Sequence, residues 1–281
     1  MTEQTTYFRY SINSGTLRGF NLSIEEEIDI AAQAGYDGIE PWITKIEQYL
    51  EQGGCLRDLR KRIEDHGLCV PGGCAFFPWI VDDEIVRKHG IEQMKREMDL
   101  FREIGATHIT ATAWGAKEQR LDQFDILGER YRTILEIGLQ KEIIPQLEVW
   151  GHSKTMTTLA DVFAIASYSG HTKSEFLLDI YHLYRGGTPF QSLALLNTNV
   201  LSVFHFNDYP NNFSREQLED KHRVYPGDGN APLAEILRIL YEIGFNGFLS
   251  FEVFNPTYWE TNNPLHVAKT GLEKMKAIKW N

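Results

Sequence analysis

The chain is poor in cysteine: Cys55, Cys69 and Cys74 are its only three. An odd number without a C-x-x-C pair excludes a disulfide framework and a thiolate zinc site, and leaves reduced, mostly buried thiols as the expectation. Long apolar runs are missing too. None approaches 18 residues, and the opening MTEQTTYFRY lacks the basic, then apolar, then small-residue order of a secretory signal, so a soluble, cytoplasmic protein without a membrane partner is expected. Basic residues are in deficit, 28 against 39 acidic for a formal net charge of -11, which argues against a nucleic-acid partner held through phosphate neutralisation. There is also no Gly-rich phosphate loop: SINSGTLRGF, after the first candidate strand, has neither G-x-G-x-x-G nor P-loop spacing. Low-complexity tracts and Ser/Gly/Pro linkers are likewise missing, which rules out a largely disordered chain.

What is present is alternation. Short apolar or β-branched runs recur at Tyr7 to Ile12, Gly38 to Trp42, Leu68 to Gly72, His108 to Thr112, Ile144 to Trp150, Phe176 to His182, Leu201 to Asp208 and Phe248 to Phe254, with amphipathic stretches between them. Ser23 and Glu26 have the spacing of a capping box, Gly35, Gly105 and Gly244 each follow a helical stretch, and Pro232 suits a helix start. Eight strands separated by helices over 281 residues predict an α/β fold, one (β/α)8 barrel covering residues 1–281, with a doubly wound sheet as the alternative.

In such a barrel, chemistry collects where the strands end. Four consecutive candidate strands carry polar groups there: Glu148 in QLEVWGH, Asp179 and His182 in FLLDIYH, His205 and Asp208 in VFHFND, and Glu252 in FLSFEVF. A carboxylate flanked by Leu, Val, Phe or Ile is costly unless paired, hydrogen-bonded or bound to a cation. Singly, each reads as a satisfied structural residue. Together, Glu148, Asp179, His205 and Glu252 converge at one mouth, where three carboxylates repel without a cation between them, so a metal site is the better reading. Oxygen-rich ligands with one imidazole suit one divalent ion, Mn, Mg, Zn or Co. Such an ion could polarise a carbonyl and acidify the neighbouring C–H, with a carboxylate on either side to move the proton.

Residues 209–231 form the longest stretch without periodicity and contain DKHRVYPGDG. A lid whose His222 and Arg223 hold substrate hydroxyls or a developing charge competes there with an ordinary solvated loop. Trp42, Phe76, Phe77, Trp79, Trp114 and Trp150 near strand ends are candidates for an apolar wall or for plain packing, and Glu40 and His152 for supporting roles.

The four-strand pattern resembles the xylose-isomerase-like TIM-barrel superfamily of sugar isomerases and epimerases, which also includes endonuclease IV. The resemblance covers essentially the whole chain. It is nearest to the 2-keto-myo-inositol isomerase type, through HRVYPGDG, LEVWGH, LDIYH and LYEIGFNGFLSFEVFNPTYW. It implies a metal held by Glu148, Asp179, His205 and Glu252, with Glu148 and Glu252 as acid and base and His182 on the substrate. The implied reaction is 1,2 proton transfer through an enediolate on a keto-inositol or related keto-sugar. Inosose dehydratases share the scaffold, so a lyase is an alternative, as is a non-catalytic sugar-binding barrel. Asp220-Lys221-His222 has the D-x-H spacing of the nuclease's extra zinc site, but strands three and four lack its histidines: the one present, His108, lies at a strand start. The long loop and the C-terminal helix offer surfaces for a homodimer.

Overall fold

A computed structural model describes residues 7–280; the first six residues of the N-terminal stretch read above for export features lie outside it. Seven parallel strands form one sheet: β1 (Arg9–Asn13), β2 (Gly38–Glu40), β3 (His108–Ala111), β4 (Ile144–Glu148), β5 (Glu175–Asp179), β6 (Leu201–Phe206) and β7 (Phe248–Phe251). Their order is β2-β1-β7-β6-β5-β4-β3.

The expected third strand, Leu68 to Gly72, is not a regular strand. Its segment instead joins the two edges of the sheet through isolated parallel bridges, Cys69 to Gly38, Cys74 to Trp42 and Gly73 to Ile109. On one side Ile39 N donates to Cys69 O at 2.9 Å, and on the other Gly73 N donates to His108 O at 3.0 Å, which closes the ring. Pro71 explains the irregularity: it has no N–H to give a ladder. The (β/α)8 barrel thus has seven regular strands and one irregular eighth position.

The helices are α1 (Ile24–Ala34), α2 (Ile43–Glu51), α3 (Leu56–Asp65), α4 (Glu84–Glu103), α5 (Phe124–Lys141), α6 (Leu159–Ser169), α7 (Ile180–Gly186), α8 (Leu233–Glu242), α9 (Pro256–Thr261) and α10 (Pro264–Ala277). Among the described residues no helix is long and apolar enough to cross a membrane. The capping box forms, with Glu26 N donating to Ser23 Oγ at 3.3 Å and Ser23 N to Glu26 Oε2 at 2.8 Å. Gly35 ends α1 at φ +91°, a left-handed conformation that a side chain would strain. Pro232 stands immediately before α8, as expected.

Strand alternation sends Ile12, Ile39, Leu147, Leu178, Phe204 and Phe251 into the sheet–helix layer, where all are buried. The other face, inside the barrel, is polar. Register pairs Asn13 with Glu40, Ser11 with Ser250, Thr110 with Gln146, Asp179 with His205 and His205 with Ser250. Paired residues of parallel strands share a face, so these side chains line the interior in layers. All of them are buried. A barrel normally fills that space with branched apolar residues.

The closing segment has no room for growth. A Cβ on Gly73 would stand 2.1 Å from the Phe101 ring. Gly73→Ala is therefore expected to destabilise the protein by about 1–3 kcal/mol, read as a lower denaturant midpoint with an unchanged m-value. An unaltered midpoint would mean that the Phe101 ring gives way freely.

Candidate metal centre and active site

Glu148 is the last residue of β4, Asp179 the last of β5, His205 lies near the end of β6 and Glu252 follows β7. Asp179 and His205 stand side by side in register, and Glu252 is two residues beyond Ser250, His205's partner on the other side. One ligand atom from each of Asp179, His205 and Glu252 lies within 4.8 Å of the others. Glu148 faces the same cavity, about 280 Å³ in volume, which is also lined by Glu252, Arg223, His182 and Asp220.

His205 sits between acids. Its Nδ1 is 3.2 Å from Glu252 Oε2 and 3.8 Å from Asp179 Oδ2, and its Nε2 is 3.2 Å from Glu40 Oε2. Neither ring nitrogen makes a well-directed hydrogen bond, and Glu40 Oε2 is equally without one. Burial disfavours the imidazolium, but Glu252 and Glu40 outweigh it and push the His205 pKa well up. Glu40 is thus the acid that holds the rear nitrogen and turns Nδ1 toward the mouth.

Arg223 is the second organiser. It stands in the R-V-Y-P-G-D-G loop, yet its side chain is buried beneath the mouth. One guanidinium nitrogen reaches Asp179 Oδ2 at 3.1 Å and Glu252 Oε2 at 2.5 Å. The other donates to Asp220 Oδ1 at 2.8 Å and meets His182 Nε2 at 3.1 Å. Asn255 anchors the loop from below, its Nδ2 donating to Arg223 O at 3.0 Å.

These contacts divide the carboxylates. Burial raises Glu252, but His205 and Arg223 together hold it well below the usual carboxylate range. Burial pushes Asp179 up to about 6 despite Arg223. Burial pushes Glu148 up to about 8, with Glu252 and Asp179 opposing its charge and His205 favouring it. Among the described residues Glu148 has no hydrogen-bond or ion-pair partner, so it ionises readily only with a cation beside it. This orphaned acid, the two unsatisfied imidazole nitrogens and the close triad are the donor set a divalent ion fits.

His182 was expected at the end of a strand. It lies instead in the first turn of α7, because Asp179 caps that helix by accepting His182 N at 2.8 Å. The cap places the imidazole beside the acids, where burial, then Arg223, push its pKa well down. With Nε2 facing a guanidinium donor, a neutral ring carries its proton on Nδ1, which has no partner. His222 points elsewhere: its ring stacks on Phe213 at 4.1 Å, and it does not line the cavity. Asp220, two residues earlier, approaches His152 and His182 instead. His152 Nε2 meets the Tyr181 hydroxyl at 2.7 Å.

Of the aromatics, Trp42, Phe76, Trp114 and Trp150 line the cavity, joined by Phe254. Phe77 and Trp79 are core residues, and Trp79 Nε1 donates to Thr112 O at 2.7 Å. Two contributors were not singled out in the sequence: Asn207 donates to Asp179 Oδ2 at 2.7 Å, and Arg18 lines the mouth. Asp208, noted there as a polar group at a strand end, instead ties down the long loop. The Asp208 carboxylate accepts the backbone N–H groups of Tyr209 and Ala231 at 2.8 Å and of Gly227 and Gly229 at 3.0 Å. The P-G-D-G glycines were the available signal, since close backbone approach to a carboxylate needs them: a Cβ on Gly229 would fall 2.3 Å from Asp208 Oδ1.

Asp208→Ala leaves four donors without their acceptor. Residues 209–231 are expected to become the first site of limited proteolysis, with stability lower by about 2–4 kcal/mol. Proteolysis no faster than in the parent would show that the cage does not restrain the loop.

A family model described as a xylose isomerase-like TIM barrel matches residues 28–278. An inosose isomerase of Bacillus velezensis is 25% identical over 263 residues, 92% of each chain. A 3-dehydroshikimate dehydratase of Pseudomonas putida is 25% identical over 247 residues, 83% of this chain but 36% of that protein. A crystal structure of an IolI protein with a bound zinc atom superposes with a TM-score of 0.86 over 95% of this chain and 96% of the other, at 22% identity. By its barrel and by the model that matches nearly its whole length, the chain belongs to the xylose isomerase-like TIM barrel family.

Proposed function

We propose that the barrel mouth is the active site of a divalent-metal-dependent isomerase or epimerase acting on a keto-inositol or related keto-sugar. The observation that carries this reading is Glu148, a buried, unpartnered carboxylate facing the cavity that Glu252 of the Asp179–His205–Glu252 triad also lines. The likeness to inosose isomerases supports the substrate class.

Glu148, Asp179, His205 and Glu252 would hold the ion. When bound, it would polarise the substrate carbonyl and acidify the adjacent C–H. The chain's own groups do the rest. Glu148 and Glu252 come from β4 and the end of β7, with two strands between them, so they reach a substrate from different sides and can move a proton between neighbouring carbons through an enediolate. Neutral His182 lines the same cavity and would contact the substrate there. His205 and Arg223 keep Glu252 ionised, so that it meets the substrate as a carboxylate, while the aromatic side of the cavity excludes water.

A dehydratase is the second reading, favoured by the likeness to 3-dehydroshikimate dehydratase. It uses the same proton abstraction but ends in loss of water.

Glu148→Gln and Glu252→Gln are each expected to lower α-proton exchange of 2-keto-myo-inositol in D₂O by about 10²- to 10⁴-fold, with unchanged circular dichroism. Exchange at the parent rate in both variants would remove the assigned roles. Formation of an unsaturated ketone in the same assay would select the lyase.

Metal binding should be pH-dependent. Glu148 and Asp179 lie above their ordinary values, at about 8 and about 6, so the metal-free protein holds protons that an ion must displace. Affinity is expected to strengthen from pH 6 to 8, approaching tenfold per pH unit for each proton released, and calorimetry in buffers of different ionisation enthalpy measures that release. The same raised carboxyl costs the metal-free fold stability as pH rises from about 4.5 toward 8, because the folded state binds the proton more tightly than the unfolded one. Affinity independent of pH across this range would contradict ligation by Glu148.

A further inference from the structure

The mouth has two unlike sides. His152, His182, Asp220 and Arg223 make one polar side. Beside them, starting at Phe254, whose ring lies 4.8 Å from the Arg223 guanidinium, runs an unbroken arc of rings, each in contact with the next: Phe254 to Trp42 with centroids 6.0 Å apart, Trp42 to Phe76 at 5.3 Å, Phe76 to Trp114 at 5.1 Å and Trp114 to Trp150 at 6.3 Å. All five rings line the metal-end cavity.

The arc is longer than one reacting ring can use. A six-membered ring whose carbonyl and hydroxyl carbons lie between Glu148 and Glu252 covers one or two aromatic faces. The outer rings are then left over, and Trp114 is 43% exposed, an indole that core packing would have covered. Trp114 and Trp150 stand with planes 24° apart, and both line the cavity. Cations stand at both ends. The Arg18 guanidinium lies 4.1 Å over Phe254, and Lys117 Nζ lies 5.4 Å over Trp150. Neither side chain is in an ion pair among the described residues, so both have N–H groups free for hydroxyls.

We propose that the outer arc Phe76–Trp114–Trp150 is a subsite for a second pyranose ring, so that the substrate is a keto-sugar carried as a glycoside. The C–H face of the second ring stacks on the indoles, and its hydroxyl edge meets Lys117 on the outer side. The reacting ring stays at the metal end, against Trp42 and Phe254. The inference rests on the keto-sugar reading for the placement of the first ring, but its test needs no turnover.

The test is equilibrium binding of unreactive glucosides to the metal-loaded protein, followed by tryptophan fluorescence. α- and β-linked glucose disaccharides and phenyl glucosides are compared with the methyl glucosides. At least one disaccharide is expected to bind about tenfold more tightly than its methyl glucoside, and Trp114→Ala should reduce that ratio to about one. Trp114→Phe, which keeps an aromatic face, should restore part of it. The proposal is overturned if no disaccharide exceeds its methyl glucoside, or if the ratio survives Trp114→Ala. A gain confined to phenyl glucosides overturns the sugar assignment. α-Proton exchange of single-ring 2-keto-myo-inositol reads the catalytic assignment separately, so failure of one does not imply failure of the other.

Discussion

The structure depends on how negative charge is held at one end of a closed barrel. Glu148, Asp179 and Glu252 are buried where each opposes the charge of the others, and Asp220 joins them from the loop. Each carboxylate removed from water costs several kcal/mol unless something positive or hydrogen-bonding replaces the solvent. The protein supplies one buried cation, Arg223, whose guanidinium contacts Asp179, Glu252 and Asp220 together. Arg223 reaches that position because the loop bearing it is tied to Asp208 and Asn255. The backbone cage around Asp208 is therefore part of the electrostatics of the mouth, although none of its atoms lines the cavity.

One guanidinium does not satisfy four acids. It leaves Glu148 without a partner, and His205 between Glu40 and Glu252 with poorly directed contacts. Part of the unsatisfied polarity lies at the centre of the mouth, as expected of a site built for a bound group, and part lies in the helices, where Glu27 and Glu97 also bury carboxylate oxygens without a hydrogen-bond partner. The polar layers beneath, Ser11, Ser250, Asn13 and Thr110, carry the same logic downward: small polar side chains leave room for the imidazole and the acids in a space that branched apolar residues would fill. Stability comes from the other face of the sheet, where Ile12, Leu147, Leu178, Phe204 and Phe251 pack under the helices.

Much of this was legible in the sequence because strand periodicity and burial cost act locally. Glu148 in LEVWGH and Glu252 in FEVF stand out for being acids inside apolar runs, and alternation then fixes which way they point. What was not legible depends on partners distant in the chain. The irregular segment at Cys69–Cys74 pairs with both β2 and β3, so its role as the eighth barrel position follows from closure and not from its own pattern. His182 belongs to a helix because Asp179 caps it, and an apolar run such as FLLDIYH does not reveal where a strand yields to a helix. His222 and Asp220 are two residues apart in a polar loop. A short turn sends the first onto Phe213 and the second toward His152, a choice set by tertiary contact.

That turn also bears on what the mouth can bind. The nuclease-like D-x-H spacing would bring two ligands to one ion, whereas here Asp220 is spent on Arg223 and the imidazole of His222 is turned away. A guanidinium also meets His182 Nε2, and a second divalent ion beside the cluster of His152, His182 and Asp220 would face that charge at close range. The polar side of the mouth is thus better suited to oxygen atoms of a neutral or weakly anionic substrate than to a further cation. In this barrel the anchoring of the one buried arginine, more than the count of His and Asp residues, decides that Asp220 and His182 are engaged within the protein.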